Sequence, residues 1–208
     1  MSEPGSGVSP RWVAWRRAVN LDDYDRRWES MAAKGKPIHG EVDFIERLLP
    51  GRHLNILDAG CGTGRLAVEA VRRGHRATGV DLDPDMIERA RSKESRIDWI
   101  CADLASVRVA DVFDVVVMAG NIPLFCAPGS QAAIIANLVA HLAPDGVLIC
   151  GFSIEKGENS YSPDDMQRDA HAVGFGCVDQ YANWDGDPSS PMGANTYAVF
   201  MCRRSVEA

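Results

Sequence analysis

Residues 54–81 read LNILDAGCGTGRLAVEAVRRGHRATGVD, and this stretch decides the fold. Its apolar start, which runs into Gly60, is typical of a buried strand. A glycine-rich turn follows, and then a helical pattern that Gly74 closes. A second apolar run over 76–81 completes the unit. Strand, helix and strand in this order predict a βαβ unit with parallel strands.

The same alternation extends to both sides of this unit. Helical spacing over 40–49 predicts a helix before the first strand, and Asp83 with Pro84 begins another after the second. Only about ten residues separate Asp103 from Phe113, which favours an extended connection there. Two later helices are predicted over 131–143 and 162–173. The five remaining strands, of which the last two can form a terminal hairpin, are predicted at 96–103, 113–120, 145–153, 176–184 and 195–204.

Composition narrows the class of protein. A chain of 208 residues with 46% hydrophobic and 25% charged residues predicts one folded domain, here residues 40–208. Residues 1–10 are expected to be disordered, and residues 11–39 form a separate N-terminal segment. The net charge of -7 argues against nucleic acid as a partner. The oligomeric state stays open.

Two further absences in the sequence bear on location and chemistry. The chain contains neither a signal-peptide core nor an apolar run that could cross a bilayer, which predicts a cytoplasmic protein without stable membrane association. Its six cysteines include no C-x-x-C pair. We therefore expect reduced, mostly buried thiols and no metal site.

The glycine-rich turn over 60–64 would let the backbone approach a ligand closely. In a dinucleotide-binding fingerprint a third glycine would stand where this sequence has Arg65, which disfavours a nicotinamide-dependent oxidoreductase. Asp81 ends the second strand and is suited to accept both hydroxyls of a ribose. Asp103 ends the third strand and can accept the amino group of an adenine beside Leu104. In the alternative interpretation, both acids are ordinary turn or loop residues.

Four segments in this order and spacing, ILDAGCGTGRLA, GVDLDPDMIERAR, WICADLASV and FDVVVMAGNIPLF, resemble the class I S-adenosylmethionine-dependent methyltransferases. The resemblance covers residues 40–152. It implies an α/β fold with a doubly wound, mostly parallel seven-stranded sheet and an antiparallel last strand. It also implies S-adenosylmethionine as cofactor and, with the acidic charge, a small-molecule methyl acceptor. A non-catalytic cofactor-binding or regulatory module is the alternative.

The resemblance further implies which residues surround the cofactor. The glycine turn would lie against its methionine part, Asp81 would hold the ribose, and Asp103 with Leu104 would flank the adenine. Met86 and the turn over 119–121 would line the remaining wall. The predicted cofactor-binding residues are Gly60, Cys61, Gly62, Gly64, Asp81, Leu82, Met86, Ala102, Asp103, Leu104, Ala119, Gly120 and Asn121.

Residues Asn121-Ile-Pro-Leu124 look like a relaxed form of the Asn-Pro-Pro-aromatic motif of enzymes that methylate amide or exocyclic amino nitrogens. The first proline and the aromatic residue of that motif are missing. This departure further disfavours nucleic acid bases as acceptors. It leaves Asn121 as either a loop residue or part of the cofactor wall.

The N-terminal segment is aromatic and basic at once. We interpret it as a lid over cofactor and acceptor, with Tyr24 and Trp28 facing the site; a membrane-surface helix and plain surface packing are the alternatives. Tyr161 follows the fifth strand and Trp184 the sixth. Both are candidate acceptor contacts.

The histidines can be sorted by topology, because ligands of such sheets bind at the carboxyl ends of the strands. Of the five histidines, only His39 precedes a helix that descends into the first strand, which predicts a position beside the glycine turn. His39 is therefore the candidate general base if the acceptor must lose a proton. The alternative is a polar residue that starts the helix or orients the lid.

Overall fold

The computed structural model describes residues 9–155, 157, 160–190 and 195–205. Its strands are β1 Asn55–Ala59, β2 Arg76–Asp81, β3 Asp98–Cys101, β4 Phe113–Met118, β5 Leu142–Ser153, β6 Phe175–Tyr181 and β7 Tyr197–Arg204. Its helices are α1 Pro10–Ala18, α2 Leu21–Ala33, α3 Gly40–Leu48, α4 Arg65–Arg72, α5 Pro84–Lys93, α6 Ile122–Phe125, α7 Gln131–Val139 and α8 Pro163–His171. None of these described helices combines the length and apolar character that crossing a membrane requires.

The seven described strands form one sheet in the order β3-β2-β1-β4-β5-β7-β6. The pairs from β3 to β5 are parallel, whereas β7 runs antiparallel to both β5 and β6. This confirms the predicted doubly wound sheet with an antiparallel last strand. The strand order reverses between β1 and β4, and the crevice at such a point is where open α/β sheets bind ligands.

The central strands are buried on both faces because helices cover each side of the sheet. Val116 and Met118 of β4 belong to the core beneath α7 and α8. Val115 and Val117 alternate with them and pack in the core beneath α3 and α4. This burial explains why β4 reads as a continuous apolar run.

The connections differ from the predicted pattern in two places. β5 begins at Leu142 rather than Asp145, since Leu142 pairs with Phe113 at the start of β4, and α7 accordingly ends at Val139. The short helix α6 was not predicted. Between β3 and β4 the described chain has no helix, which confirms the predicted extended connection.

Helices α1 and α2, which we call the covering helices, lie at the carboxyl edge of the sheet. The Ser9 hydroxyl accepts a hydrogen bond from the backbone N–H of Trp12, and Pro10 occupies the first turn. Both features favour a helix start. The predicted disorder of residues 1–10 is therefore wrong for its last two residues; residues 1–8 lie outside the described part of the chain.

The prediction of reduced thiols is wrong for one pair of cysteines. Cys177 of β6 and Cys202 of β7 are register partners, and their sulfurs are joined in a disulfide. They stand 25 residues apart in sequence, so only the strand pairing brings them together. The other four are free thiols: Cys61 and Cys150 are buried, whereas Cys101 is exposed.

Candidate active site

Two adjoining cavities lie at the carboxyl ends of β1, β2 and β4, beneath the covering helices. The smaller has an empty volume of about 520 Å³ and the larger of about 770 Å³. The residues that line both are Trp12, Gly60, Asp81, Ile122 and Phe125. Because they share this boundary, the two cavities form the halves of one elongated site.

The glycine turn borders this site in part. Gly60, Gly62 and Gly64 have φ values of 84°, 54° and 81°, a region that side chains disfavour. Gly60 and Gly62 line the larger cavity, and a Cβ on Gly60 would overlap the Ile122 side chain. Gly64 does not line it, because it faces the ring of Trp99. The predicted ligand contact at Gly64 is thus a packing contact between a helix and a strand.

Asp81 stands at the centre of the elongated site. Its Oδ2 accepts a hydrogen bond of 2.8 Å from the Gly62 N–H, and its Oδ1 accepts one of 2.9 Å from the Asp83 N–H. Burial raises the pKa of this carboxyl. The carboxylate thus holds the glycine turn against the start of α5 and faces both cavities.

The smaller cavity contains the predicted adenine contacts. Leu82, Asp103 and Leu104 line it. One carboxylate oxygen of Asp103 accepts a 2.8 Å hydrogen bond from the Ala105 N–H, which orients the side chain. Ala102 does not line either cavity; its N–H donates to the Asp81 carbonyl between the strands.

The larger cavity contains most of the other predicted contacts. Cys61, Met86, Ala119 and Gly120 line it. Asn121 does not, since its Oδ1 accepts a 2.7 Å hydrogen bond from the Ser153 N–H of β5. Its φ of 70° begins α6 in the left-handed region. Of the two interpretations of Asn121, the structure favours the loop residue.

Three charged residues of the larger cavity, Asp58, Arg65 and Asp83, were not predicted as contacts. Asp58 is 2% exposed, and burial raises the pKa of its carboxyl to about 7. Its Oδ2 accepts a hydrogen bond from the Ala67 N–H at 3.2 Å. Arg65 also lines the cavity, and its guanidinium makes two hydrogen bonds to Glu41, at 2.9 and 2.5 Å. The positive charge of Arg65 is thus already balanced.

The four predicted acceptor or lid residues separate into two groups. Tyr24 lines the larger cavity. Trp28 instead packs under the guanidinium of Arg65, 4.3 Å from the ring centroid. Tyr161 is buried and donates to Asp169 at 2.9 Å, and Trp184 donates to the Tyr197 hydroxyl at 3.2 Å. The last three residues border neither cavity.

His39 is the N-cap residue of α3 and lines neither cavity. Its Nε2 lies 3.7 Å from Oε2 of Glu69, one turn along α4 from the glycine turn. Burial lowers the pKa of the imidazole. Its place at the start of α3 agrees with the alternative interpretation of this residue, although its side chain makes no capping hydrogen bond to that helix.

Several lining residues were missed because nothing local marks them. Trp12 and Trp15 lay in the aromatic N-terminal segment but were not assigned to the site, and Ile122 and Phe125 belong to the unpredicted α6. The only sequence signal was the Asn-Ile-Pro-Leu motif, which drew attention to Asn121 rather than to the apolar residues after it.

The geometry fits S-adenosylmethionine. An apolar half with an oriented carboxylate at Asp103 suits an adenine, the central Asp81 suits a ribose, and the glycine turn beside Asp58 suits the amino acid end. Among the described residues, His, Cys, Asp and Glu side chains form no group of three or more that could hold a metal ion.

Comparisons with known proteins agree with this fit. Residues 56–146 match a family model described as a methyltransferase domain. The crystal structure of a TehB-like SAM-dependent methyltransferase from Corynebacterium glutamicum is 30% identical, with a TM-score of 0.78 over 88% of this chain and 97% of that one. The chain therefore belongs to the class I S-adenosylmethionine-dependent methyltransferases, whose cofactor is S-adenosylmethionine.

Two curated relatives extend the comparison. The malonyl-[acyl-carrier protein] O-methyltransferase of Acetivibrio thermocellus is 32% identical over 137 residues, which are 64% of this chain and 45% of that protein. The ubiquinone biosynthesis O-methyltransferase of Alkalilimnicola ehrlichii is 31% identical over 96 residues, 44% of this chain and 39% of that protein. The chain spans less than half the length of either relative.

Proposed function

We propose that this chain transfers the methyl group of S-adenosylmethionine to a small-molecule acceptor in the larger cavity. The observation that carries this proposal is the cover over the site: Trp12, Trp15 and Tyr24 of the covering helices line that cavity. Arg11 and Arg16 connect α1 to Glu155 and Asp83 on other parts of the chain. A covered cavity admits a small molecule or a slender group on a carrier, but not a folded macromolecule.

The protein's part in the reaction is positioning. When bound, S-adenosylmethionine would supply a methyl group bonded to a positively charged sulfur: the acceptor forms a bond to the methyl carbon as the carbon–sulfur bond breaks, and S-adenosylhomocysteine leaves as a neutral thioether. Asp81 would hold the ribose, Asp103 the adenine and Asp58 the amino end, while the apolar wall excludes water. Alignment of this kind can lower a barrier by about 7 to 11 kcal/mol.

The names of the two curated relatives suggest which acceptors to test first. Both names describe O-methyltransferases, one acting on malonyl-[acyl-carrier protein] and the other in ubiquinone biosynthesis. We therefore place hydroxyl groups such as phenols, and carboxylates, either free or at the far end of an acyl group bound to a carrier, ahead of amines and thiols.

The test measures formation of S-adenosylhomocysteine with equal concentrations of carboxylates, phenols, amines, thiols, RNA and a protein mixture. We expect turnover with at least one small-molecule class and none with RNA. Asp81→Ala serves as the control for background demethylation. Transfer to RNA or to protein side chains alone would contradict the proposal. Cofactor binding without any transfer would favour the non-catalytic alternative.

A further inference from the structure

The boundary between the two cavities contains two aromatic residues, Trp12 of α1 and Phe125 of α6. A ligand that fills both halves must pass between the residues that line both. The chemical group at this boundary can therefore be inferred from the order of groups along the ligand.

In S-adenosylmethionine the sulfonium is bonded to the 5′-carbon of the ribose. If Asp81 holds the ribose, as the proposed function requires, the sulfonium lies next to Asp81 and hence at the same boundary. A positive charge near an aromatic face is attracted by the ring quadrupole. Trp12 and Phe125 are the two aromatic residues that line this boundary.

The two rings differ in what already contacts them. The guanidinium of Arg11 stands 5.5 Å from the centroid of the Phe125 ring, so one face of that ring already has a cation. Arginines also stand over Phe44, Trp28 and Phe175, but among the described residues none stands over Trp12. Trp12 is also half-buried, which limits screening by solvent.

The charges around the larger cavity favour a positive ligand. Its lining includes the carboxyls of Asp58, Asp81 and Asp83. The lining cation, Arg65, is paired with Glu41, and Asp83 is paired with Arg16. Neither Asp58 nor Asp81 forms a salt bridge with a described basic side chain. Burial raises the pKa of Asp58 to about 7 and the charge of Arg65 partly opposes that rise, so Asp81 is the carboxyl at the boundary that carries the argument.

We propose that Trp12 is a specificity-determining residue that recognises the charge of the sulfonium and so favours S-adenosylmethionine over its neutral product, S-adenosylhomocysteine. A desolvated cation–π contact corresponds to about a five- to thirtyfold difference in affinity. The neutral sulfur of the product does not gain this attraction. After the methyl group has been transferred, the covering helices therefore bind the product less tightly than they bound the cofactor.

Calorimetric titration tests the assignment with three probes: S-adenosylmethionine, S-adenosylhomocysteine, and sinefungin, which has a protonated amine near the position of the sulfonium. Trp12→Leu should lower the affinity for both cationic probes about five- to thirtyfold more than the affinity for the neutral probe. Trp12→Phe, which keeps an aromatic ring, should keep most of the wild-type preference for the cationic probes over the neutral probe.

The matched control is Trp15→Leu, because Trp15 lies one turn along the same helix and lines only the larger cavity. It should change the affinities for all three probes by similar factors. Thermal unfolding establishes that both variants fold. Equal losses for all three probes in Trp12→Leu, or no loss, would overturn the assignment while the proposed function stands. Wild-type protein that binds none of the probes would overturn both.

Discussion

The carboxylate of Asp81 serves the fold and the ligand site together. Its two oxygens accept the N–H groups of Gly62 and Asp83, and the side chain still borders both cavities. An acid at the end of the second strand could be predicted as a ribose ligand from its position. Its bonds to the glycine turn could not, since they depend on how β1 and β2 pair.

Asp81→Ala should weaken binding of S-adenosylmethionine about ten- to a hundredfold, because hydrogen bonds to a charged group are worth roughly 1.5 to 3 kcal/mol. Calorimetric titration measures the effect. Asp98→Ala, which removes an exposed carboxylate at the start of β3, is the control and should bind normally. An unchanged affinity in a folded Asp81→Ala protein would remove the ribose assignment.

Asp58 predicts a pH dependence of stability. Its carboxyl has a pKa of about 7 in the folded chain, through burial, against about 3.9 when unfolded. Between these values the unfolded state releases this proton and the folded state keeps it, so the contribution of Asp58 to stability falls as pH rises. The loss is on the order of 4 kcal/mol and is complete above pH 7.

Denaturant unfolding of wild-type protein and Asp58→Asn from pH 4 to 8 measures this contribution without the ligand. Because asparagine does not titrate, the variant should gain stability relative to wild type as pH rises toward 7, and the difference should then level off. Parallel stability curves over this range would show that Asp58 ionises normally.

At the scale of elements, the covering helices are only partly buried, although Trp15 packs against Phe125 of α6 with ring centroids 5.5 Å apart. No residue of α1 is buried, and Leu21 is the buried residue of α2. Their attachment to α5 includes ion pairs of Asp22 with Arg89 at 2.6 Å and of Asp25 with Lys93 at 2.8 Å. Exposed pairs contribute about 0 to 1 kcal/mol each. Such a segment can open at small cost, as a lid must.

Residues 10–36 should therefore exchange their amide hydrogens quickly without ligand and slowly when S-adenosylhomocysteine is added. Hydrogen exchange resolved by peptide measures the change. Helix α8 borders neither cavity and serves as the internal control, with equal exchange in both states. If the covering helices exchange equally with and without ligand, they are surface packing rather than a lid.

At the scale of the whole molecule, sheet topology decides which edge carries the site, but side-chain packing decides what faces it. His39 illustrates the difference. Topology predicted that His39 lies at the carboxyl edge of the sheet near the glycine turn. In the structure its Nε2 lies 3.7 Å from Oε2 of Glu69. Its Nδ1 is buried without a hydrogen-bond partner among the described residues.

His39→Ala should therefore keep turnover within about threefold of wild type, whereas loss of a general base costs about a hundredfold or more. The pH profile of turnover should also stay unchanged. His171→Ala, at the end of α8, is a matched control for the loss of an imidazole. A hundredfold loss with a shifted pH profile would restore His39 as the base.

The sequence by itself determined the βαβ order, the glycine turn and the acids at the strand ends. These features follow from local rules: side-chain periodicity, the left-handed conformations that glycine allows, and the position of a residue at the end of a strand. Only the tertiary structure decided that Trp12 and Phe125 both line the boundary between the two cavities, that Asn121 binds β5 and that Cys177 joins Cys202. These contacts join residues distant in the chain, and they depend on how helices and strands pack, which local patterns leave undetermined.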